Sequence, residues 1–183
     1  IDKFPFASNA NATDVGDTTI AGHYWADGCS SSTHGYAIAG SDPVAPTNSY
    51  KGIEKYPFAS DANSTDLGDL THSASISAAC TSSQTDGIVA PGSMDKMSKF
   101  PFATDTSAEL SVTQIQLASG QYGNSKSGTS SQTHGYSAGG TWSYPANYSN
   151  VIQKYPYAAT SGATSDVGDL TEAKAKGAGN IMV

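Results

Sequence analysis

Residues 53–59 read Ile-Glu-Lys-Tyr-Pro-Phe-Ala, and close copies of this heptapeptide stand at residues 1–7, 97–103 and 152–158. Recurrence at intervals of 44 to 55 residues is typical of architectures in which each repeat forms one supersecondary unit. Because side chains alternate along a strand, the rings on either side of the proline lie on one face. The pattern predicts a strand in every copy and a core built from these rings: Phe4, Phe6, Tyr56, Phe58, Phe100, Phe102, Tyr155 and Tyr157.

The proline at the centre of each heptapeptide limits where its strand can lie. Proline has no N–H group to donate to a neighbouring strand. We therefore expect the strand at a sheet edge, or the proline at a bulge or at a point where its nitrogen faces no neighbour.

A second block, Asp-x-Gly-Asp, follows the heptapeptide in three of the four repeats. Its copies stand at residues 14–17, 66–69 and 166–169, and the third repeat has the divergent Glu-Leu-Ser-Val-Thr at 109–113. Aspartate side chains accept hydrogen bonds from nearby backbone N–H groups, and glycine adopts a positive φ without steric cost. The block therefore predicts a tight turn.

A third block, Thr-His-Gly-Tyr, closes the repeat at residues 33–36 and 133–136, with Thr-Asp-Gly-Ile at 85–88 as its divergent form. A Ser/Thr-rich approach to a glycine is typical of a hairpin. We predict that the glycine lies at the turn and that the following tyrosine opens the next strand.

The composition favours strands over helices and excludes several functions. Of the 183 residues, 37% are hydrophobic, 14% are charged and 19 are Gly, and strong helix formers are scarce. The net charge of −7 would repel a phosphate backbone, so no nucleic-acid partner is expected. The apolar runs fall short of the roughly 20 residues of a membrane helix, so no membrane insertion is expected, and no signal peptide is recognisable.

Together the blocks predict an all-β fold: a propeller-like repeat of short antiparallel sheets, with about four blades. We assign residues 1–183 to a single repeat domain. Its units are a partial one at 1–19, then 20–71, 72–113 and 114–171, and a second partial one at 172–183. Joined, the two partial units would form one composite blade and close a ring of four, at the small end of what propellers allow.

Two alternatives to a ring closed within one chain stay open. Because the chain begins at Ile1 inside a repeat, without an initiator Met, we expect a processed product or a part of a longer protein. The sequence is therefore also consistent with a fragment, or with a subunit whose ring is completed by another copy in a homo-oligomer.

The repeat resembles known families in two respects. The strand ending in Gly139-Gly140 and the aromatic strand that follows are similar, in part, to kelch-type propeller repeats. The heptapeptide, Asp-x-Gly-Asp and Thr-His-Gly-Tyr, recurring in this order, resemble repeats of virion structural and tail-fibre-like proteins of marine tailed phages, cyanophages among them. That resemblance implies a protein of the virion surface used for attachment or decoration, and it brings no catalytic residues.

Loop aromatics are the candidate ligand-binding residues. Where a repeat departs from its consensus in a loop, a scaffold can acquire specificity. The residues concerned are Tyr24, Trp25, Trp142, Tyr144 and Tyr148. They would stack on sugar rings or pack on another virion protein, or alternatively plug the ring or cover its edge.

No catalytic, metal or cofactor site is predicted. The paired aspartates supply at most two carboxylates per block, short of the six to eight ligands of Ca²⁺, and the four histidines lack zinc-site spacing. His34 and His134 occupy one repeat position, where a hydrogen bond supporting the hairpin is expected. Cys29 and Cys80 lie one repeat apart, and equivalent points of neighbouring blades are usually too distant for a disulfide, so free, buried thiols are expected.

Three functions follow as hypotheses. The first is a non-enzymatic virion structural or attachment protein, such as a fibre, spike or decoration, that contacts the host surface or neighbouring virion proteins. The second is a secreted lectin-like propeller that binds glycans at repeated pockets. The third, an enzyme acting on polysaccharide, is the least favoured, because no motif of a hydrolase is present.

Overall fold

The computed structural model describes residues 1–19, 26–41, 49–70, 78–90, 96–104, 108–110, 125–141, 147–161 and 164–175. Over these residues the secondary structure consists of strands and contains no helix, so the all-β prediction is confirmed. The strands are β1 Asp2–Lys3, β2 Thr13–Asp14, β3 Asp27–Ser30, β4 His34–Ser41, β5 Ser49–Pro57, β6 Thr65–Asp69, β7 Ala79–Ser82, β8 Asp86–Ala90, β9 Met97–Pro101, β10 Ala108–Leu110, β11 Ser127–Ser130, β12 His134–Ala138, β13 Val151–Pro156 and β14 Ser165–Asp169. In this part of the chain no helix has the length and apolar character that a membrane span requires.

The strands form one short sheet and three sheets of four strands, all antiparallel. Sheet I is β1–β2, sheet II is β3–β4–β5–β6, sheet III is β7–β8–β9–β10 and sheet IV is β11–β12–β13–β14. Each large sheet runs in chain order, so that every strand pairs with the next one in sequence. None of the four sheets is closed into a barrel.

The heptapeptide forms the third strand of each large sheet, and its proline ends that strand. Pro57, Pro101 and Pro156 are the last residues of β5, β9 and β13, which lie inside their sheets. The alternative that placed these strands at a sheet edge is therefore wrong. Pairing continues past the proline, because the next residue donates its N–H to the threonine carbonyl of the third block, as Phe58 does to Thr33 at 3.0 Å.

The third block forms a hairpin, as predicted, but its glycine lies in a strand and not at the turn. Gly35 is the second residue of β4 and pairs directly with Tyr56. Gly87 pairs with Phe100 and Gly135 with Tyr155 in the same way. A Cβ at any of the three positions would lie 2.3 Å from the partner's ring. Glycine is required there because the ring of the heptapeptide lies flat across the neighbouring strand.

In sheets II and IV the Asp-x-Gly-Asp block lies in the outer strand beside a bulge, so the predicted turn is wrong for these two copies. Residues 66–69 lie within β6, and the register between β5 and β6 shifts beside them. Asp66 Oδ1 accepts the Gly68 N–H at 2.8 Å, and Gly68 has a φ of 107°. The local chemistry was predicted, but it bends an edge strand instead of reversing the chain.

Successive sheets stack face to face around two hydrophobic clusters. The first cluster lies between sheets II and III and includes Tyr36, Ile38, Val89 and Phe100. The second lies between sheets III and IV and consists of Ala79, Ile88, Ala90, Met97, Tyr155 and Tyr157. The first strands of the three large sheets lie side by side, with β7 between β3 and β11. The core is thus formed between repeats as well as within them.

The predicted core rings differ widely in burial. Phe100, Tyr155 and Tyr157 are buried, and Tyr56 and Phe102 are partly buried. The prediction is wrong for Phe58, which is exposed, and for Phe4 and Phe6, which are 59% and 96% exposed. In sheets III and IV the sheet that precedes a ring contacts it, as Tyr36 contacts Phe102 and Thr81 contacts Tyr155. Only the two-stranded sheet I precedes Phe58, and no described sheet covers Phe4 and Phe6.

The composite blade falls partly outside the described residues. Its first strands were predicted within residues 172–183, and the structure does not describe residues 176–183. Just before them, the Lys174 carbonyl accepts the Gly140 N–H at 2.9 Å, so the chain returns to sheet IV after β14.

Candidate binding clefts between the sheets

Four of the five loop aromatics proposed as ligand-binding residues, Tyr24, Trp25, Trp142 and Tyr144, lie outside the described residues. The fifth, Tyr148, is exposed and forms an isolated antiparallel bridge with Thr141. Among the described residues, surface clefts lie at the junctions between sheets.

Each described junction opens to solvent as a cleft. The I–II, II–III and III–IV clefts have volumes of about 380, 310 and 550 Å³. They share two features: the heptapeptide lysine of one sheet, and the ring after the proline of the next sheet. The lysines are Lys3, Lys55 and Lys99, and the rings are Phe58, Phe102 and Tyr157. The stacking of equivalent repeats therefore creates equivalent clefts.

In the III–IV cleft, Lys99 links the two sheets. Its Nζ donates to the Tyr157 carbonyl at 2.9 Å and lies 3.5 Å from Asp86 Oδ2. The Thr85 hydroxyl donates to the same carboxylate oxygen at 2.7 Å. Gln84 and Gln132 complete a lining of polar side chains around the cleft. The charges of Lys99 and Asp86 offset each other, so the site offers hydrogen-bond donors and acceptors with little net charge.

The II–III cleft has the same plan with an aromatic floor. Tyr36 of β4 stacks on Phe102, with ring centroids 4.8 Å apart and an interplanar angle of 19°. At the rim, Thr33 Oγ1 and His34 Nδ1 share a hydrogen bond of 2.8 Å. Thr133 and His134 repeat this contact at 2.8 Å. The histidine thus forms a hydrogen bond with its neighbour in the hairpin.

The I–II cleft is the most apolar of the three. Ile1, Val15, Tyr56 and Phe58 line it, and Lys3 forms an exposed ion pair of 3.2 Å with Asp61 across its mouth. A surface ion pair of this kind contributes little stability. The features of this cleft that a ligand can contact are the exposed rings that line it, Phe4, Phe6 and Phe58.

One serine holds the turn at the rim of the II–III and III–IV clefts. Ser31 Oγ accepts the N–H groups of Thr33 and His34 at 3.3 and 3.0 Å. Ser83 makes the equivalent bonds in the next repeat at 3.1 and 3.0 Å. Because the serine hydroxyl satisfies both N–H groups, the turn needs no glycine. A serine at the same position of both repeats thus fixes the conformation of the cleft rim.

The two cysteines are free and buried between sheets II and III, away from the clefts. Burial raises the pKa of both thiols, and the carboxylate of Asp27 raises it further. Asp27 Oδ2 accepts the Cys80 N–H at 2.8 Å and so joins β3 to β7. Burial raises the pKa of Asp27, although its hydrogen bonds from Cys80 and Gly28 act in the opposite direction. A thiol in such surroundings is inert.

The aspartate blocks serve the backbone. Asp14, Asp66 and Asp166 each accept the N–H of the glycine two residues later. Within the described ranges, no three His, Cys, Asp or Glu side chains lie close enough together to hold a metal ion. His23 and His72 lie outside those ranges.

The cleft lysines were the functional candidates that sequence reasoning missed, although their signal was visible. All four heptapeptides carry lysine at the third position: Lys3, Lys55, Lys99 and Lys154. A charged residue kept next to buried rings indicates a role at the rim of a junction.

No family model matches the chain, and no curated protein matches its sequence.

Proposed function

We propose that the chain is a non-enzymatic structural or attachment protein of a virion surface, folded as a propeller-like stack that contacts the host surface or neighbouring virion proteins. One observation carries the proposal: the II–III and III–IV junctions are built alike and present equivalent clefts with polar side chains at the rim. Repeated clefts on a rigid scaffold suit a protein that binds a partner through several weak sites at once. The resemblance of the motifs to marine phage tail-fibre repeats supports the proposed location on the virion surface.

Buried hydrogen bonds make the scaffold rigid at the III–IV junction. The buried contact between Thr81 Oγ1 and Tyr155 Oη, 2.9 Å long, fixes sheet III on sheet IV, and the Ser82 N–H donates to Ser130 Oγ at 3.1 Å in the same junction. Clefts held by such contacts keep their shape without a ligand, which lowers the entropic cost of binding.

Immunogold labelling tests the virion location. Antibodies raised against the purified chain would be applied to intact particles of a tailed phage whose genome encodes it. Labelling at the tail or capsid surface is expected. Particles that carry no label, while the chain is found free in the lysate, would contradict the proposal.

A lectin-like glycan-binding protein is the second candidate, favoured by the chemistry of the clefts. Lys99, Asp86 and Thr85 offer paired donors and acceptors of the kind that sugar hydroxyls use, and Phe58 offers an exposed ring for stacking. A glycan array with the wild type, Phe58→Ala and Lys99→Gln would test it, with Val167→Ser as the control because Val167 is exposed and lies away from the clefts. Binding lost in the cleft variants and kept in the control favours the lectin.

The same array separates the candidates. Silence on glycans together with labelled particles favours the structural role alone. Loss of polysaccharide chain length during incubation would overturn the non-enzymatic proposal.

A further inference from the structure

The last residues of the heptapeptide strand are paired on one side only. In sheet II the outer strand β6 pairs with β5 as far as Lys55, whereas Tyr56 and Pro57 belong to the strand because β4 pairs with them. Sheets III and IV follow the same rule, since the outer strands β10 and β14 pair as far as Lys99 and Lys154. In all three sheets the ring and the proline are therefore held in the strand by the third block.

Sheet I has no such second partner among the described residues. Its strand β1 pairs there with β2 alone and ends at Lys3. Phe4 and Phe6 follow outside the strand and are 59% and 96% exposed. The strand thus ends at the lysine, where the heptapeptide strands of the other sheets would end if the third-block strand were removed.

The backbone groups on the open side of β1 have a defined partner in the other sheets. The Ile1 carbonyl accepts the Val15 N–H at 2.9 Å, so Ile1 and Lys3 face β2, and Phe4, which alternates with them, faces the open side. In sheets II, III and IV the residue after the proline donates its N–H to the third-block threonine carbonyl at 3.0, 2.9 and 3.0 Å. Over the described part of the chain, no carbonyl accepts the equivalent N–H of Phe6.

The sequence contains four heptapeptides and three third blocks. The third blocks at 33–36, 85–88 and 133–136 open β4, β8 and β12, and each is paired with the heptapeptide of its own sheet. A second copy has its third blocks occupied in the same way, as interior strands. Residues 172–183 contain no threonine. No third block of the 183 residues is therefore left over for β1.

We propose that the open edge of β1 binds an extended segment of another polypeptide that carries the third-block pattern, Thr-x-Gly. The large sheets give its register: the glycine lies opposite Phe4, the threonine carbonyl accepts the Phe6 N–H, and β1 then extends to Pro5. The glycine is required because a Cβ at the equivalent positions Gly35, Gly87 and Gly135 would lie 2.3 Å from the ring opposite.

Binding of this kind adds a strand to a sheet through main-chain hydrogen bonds, and the side chain at each position gives the specificity. The outer strands β6 and β14 are poorer sites, because their register with the neighbouring strand shifts at a bulge and bulges protect an edge against further pairing. The pairing of β1 with β2 has no such shift. This inference goes beyond the proposed function and holds for a virion protein and a lectin alike.

The test is a nuclear magnetic resonance titration of the isotope-labelled protein with a synthetic peptide. The peptide has the sequence of residues 131–138, Ser-Gln-Thr-His-Gly-Tyr-Ser-Ala. Saturable shifts of the Phe4 and Phe6 amide signals are expected. The peptide with the change Gly135→Ala is expected to bind at least about tenfold more weakly, because its Cβ would meet the ring of Phe4.

A variant of the protein tests the register. Without the ring, Phe4→Ala should bind the glycine peptide more weakly than the wild type does, and it should bind the glycine and alanine peptides equally well. Val167→Ser serves as the control, because it removes an exposed side chain of the outer strand β14. It should keep both the binding and the preference for glycine.

Several results would overturn the proposal. They are the absence of binding at any peptide concentration, equal affinity of the wild type for both peptides, a preference for glycine that survives Phe4→Ala, and shifts confined to β6 or β14. Nuclear Overhauser effects between Phe4 and residues 176–183 in the protein without peptide would show that the chain's own tail occupies the edge, which also overturns it.

Discussion

Replacing Gly87 by alanine should destabilise the protein far more than the same change at the equivalent Gly35. A Cβ at Gly87 would lie 2.3 Å from Phe100 Cζ and 3.0 Å from Cys29 Sγ. Phe100 is fully buried, so its ring cannot retreat. Overpacking of a well-packed core costs about 1–3 kcal/mol, and we expect about 3 kcal/mol here, at the upper end of that range.

At Gly35 the clash is equally close, because the new Cβ would lie 2.3 Å from Tyr56 Cζ. Tyr56, however, is partly exposed, and its ring can turn toward solvent. We therefore expect a cost of about 1 kcal/mol. For a chain of this size 1 kcal/mol corresponds to about 2–4 °C in Tm, so Gly87→Ala should lower Tm by about 6–12 °C and Gly35→Ala by about 2–4 °C.

Urea unfolding followed by circular dichroism measures both costs, and calorimetry gives Tm. The double variant Gly87→Ala/Phe100→Leu serves as the internal control, because the smaller side chain makes room for the new methyl group. Its destabilisation should be clearly less than the sum of the two single changes. Equal losses for Gly35→Ala and Gly87→Ala, or strict additivity in the double variant, would refute the account of why these glycines are needed.

Three further predictions concern buried titratable groups. Burial lowers the pKa of Lys126 from 10.5 to about 8, so the folded state binds fewer protons than the unfolded state between these values and gains stability as pH rises through them. Lys126→Met should accordingly be more stable than the wild type near pH 7, by up to about 3 kcal/mol in urea unfolding, and an unchanged midpoint would contradict this. Burial raises the pKa of the Cys29 and Cys80 thiols. A thiol reagent should therefore label neither cysteine in the folded protein at neutral pH, and should label both in urea. Rapid labelling without urea would contradict this. Burial is the main cause that raises the pKa of Asp27 above 3.8, so the contribution of Asp27 to folding stability is present below that value and is lost as pH rises through the folded pKa. The stability of the wild type minus that of Asp27→Asn should therefore fall from acidic to neutral pH. A rise would disprove the assignment.

The sequence predicted the local structure well, because strand formation and turn chemistry are encoded within each repeat. The alternating rings around proline indicate a strand at 53–59, and β5 contains most of that stretch. The Asp66 side chain was correctly expected to accept a backbone N–H group. Its place in a bulge was missed, since whether such a motif reverses the chain or bends a strand depends on pairing with β5.

Features that arise between strands and sheets could not be predicted in this way. Nothing local to Gly87 shows that Phe100 lies across it. The prediction of burial was wrong for Phe4 and Phe6 for the same reason, because the burial of a ring depends on which sheet covers it. The clefts follow the same rule, although lysine at one position of every repeat was a signal that pointed to them.

The face-to-face stacking of consecutive repeats is tested most directly by nuclear Overhauser effects between aromatic rings. A strong cross-peak is expected between the ring protons of Tyr36 in sheet II and Phe102 in sheet III, whose centroids are 4.8 Å apart. A folded protein that shows the cross-strand contacts within each sheet but no contact between these two rings would contradict it.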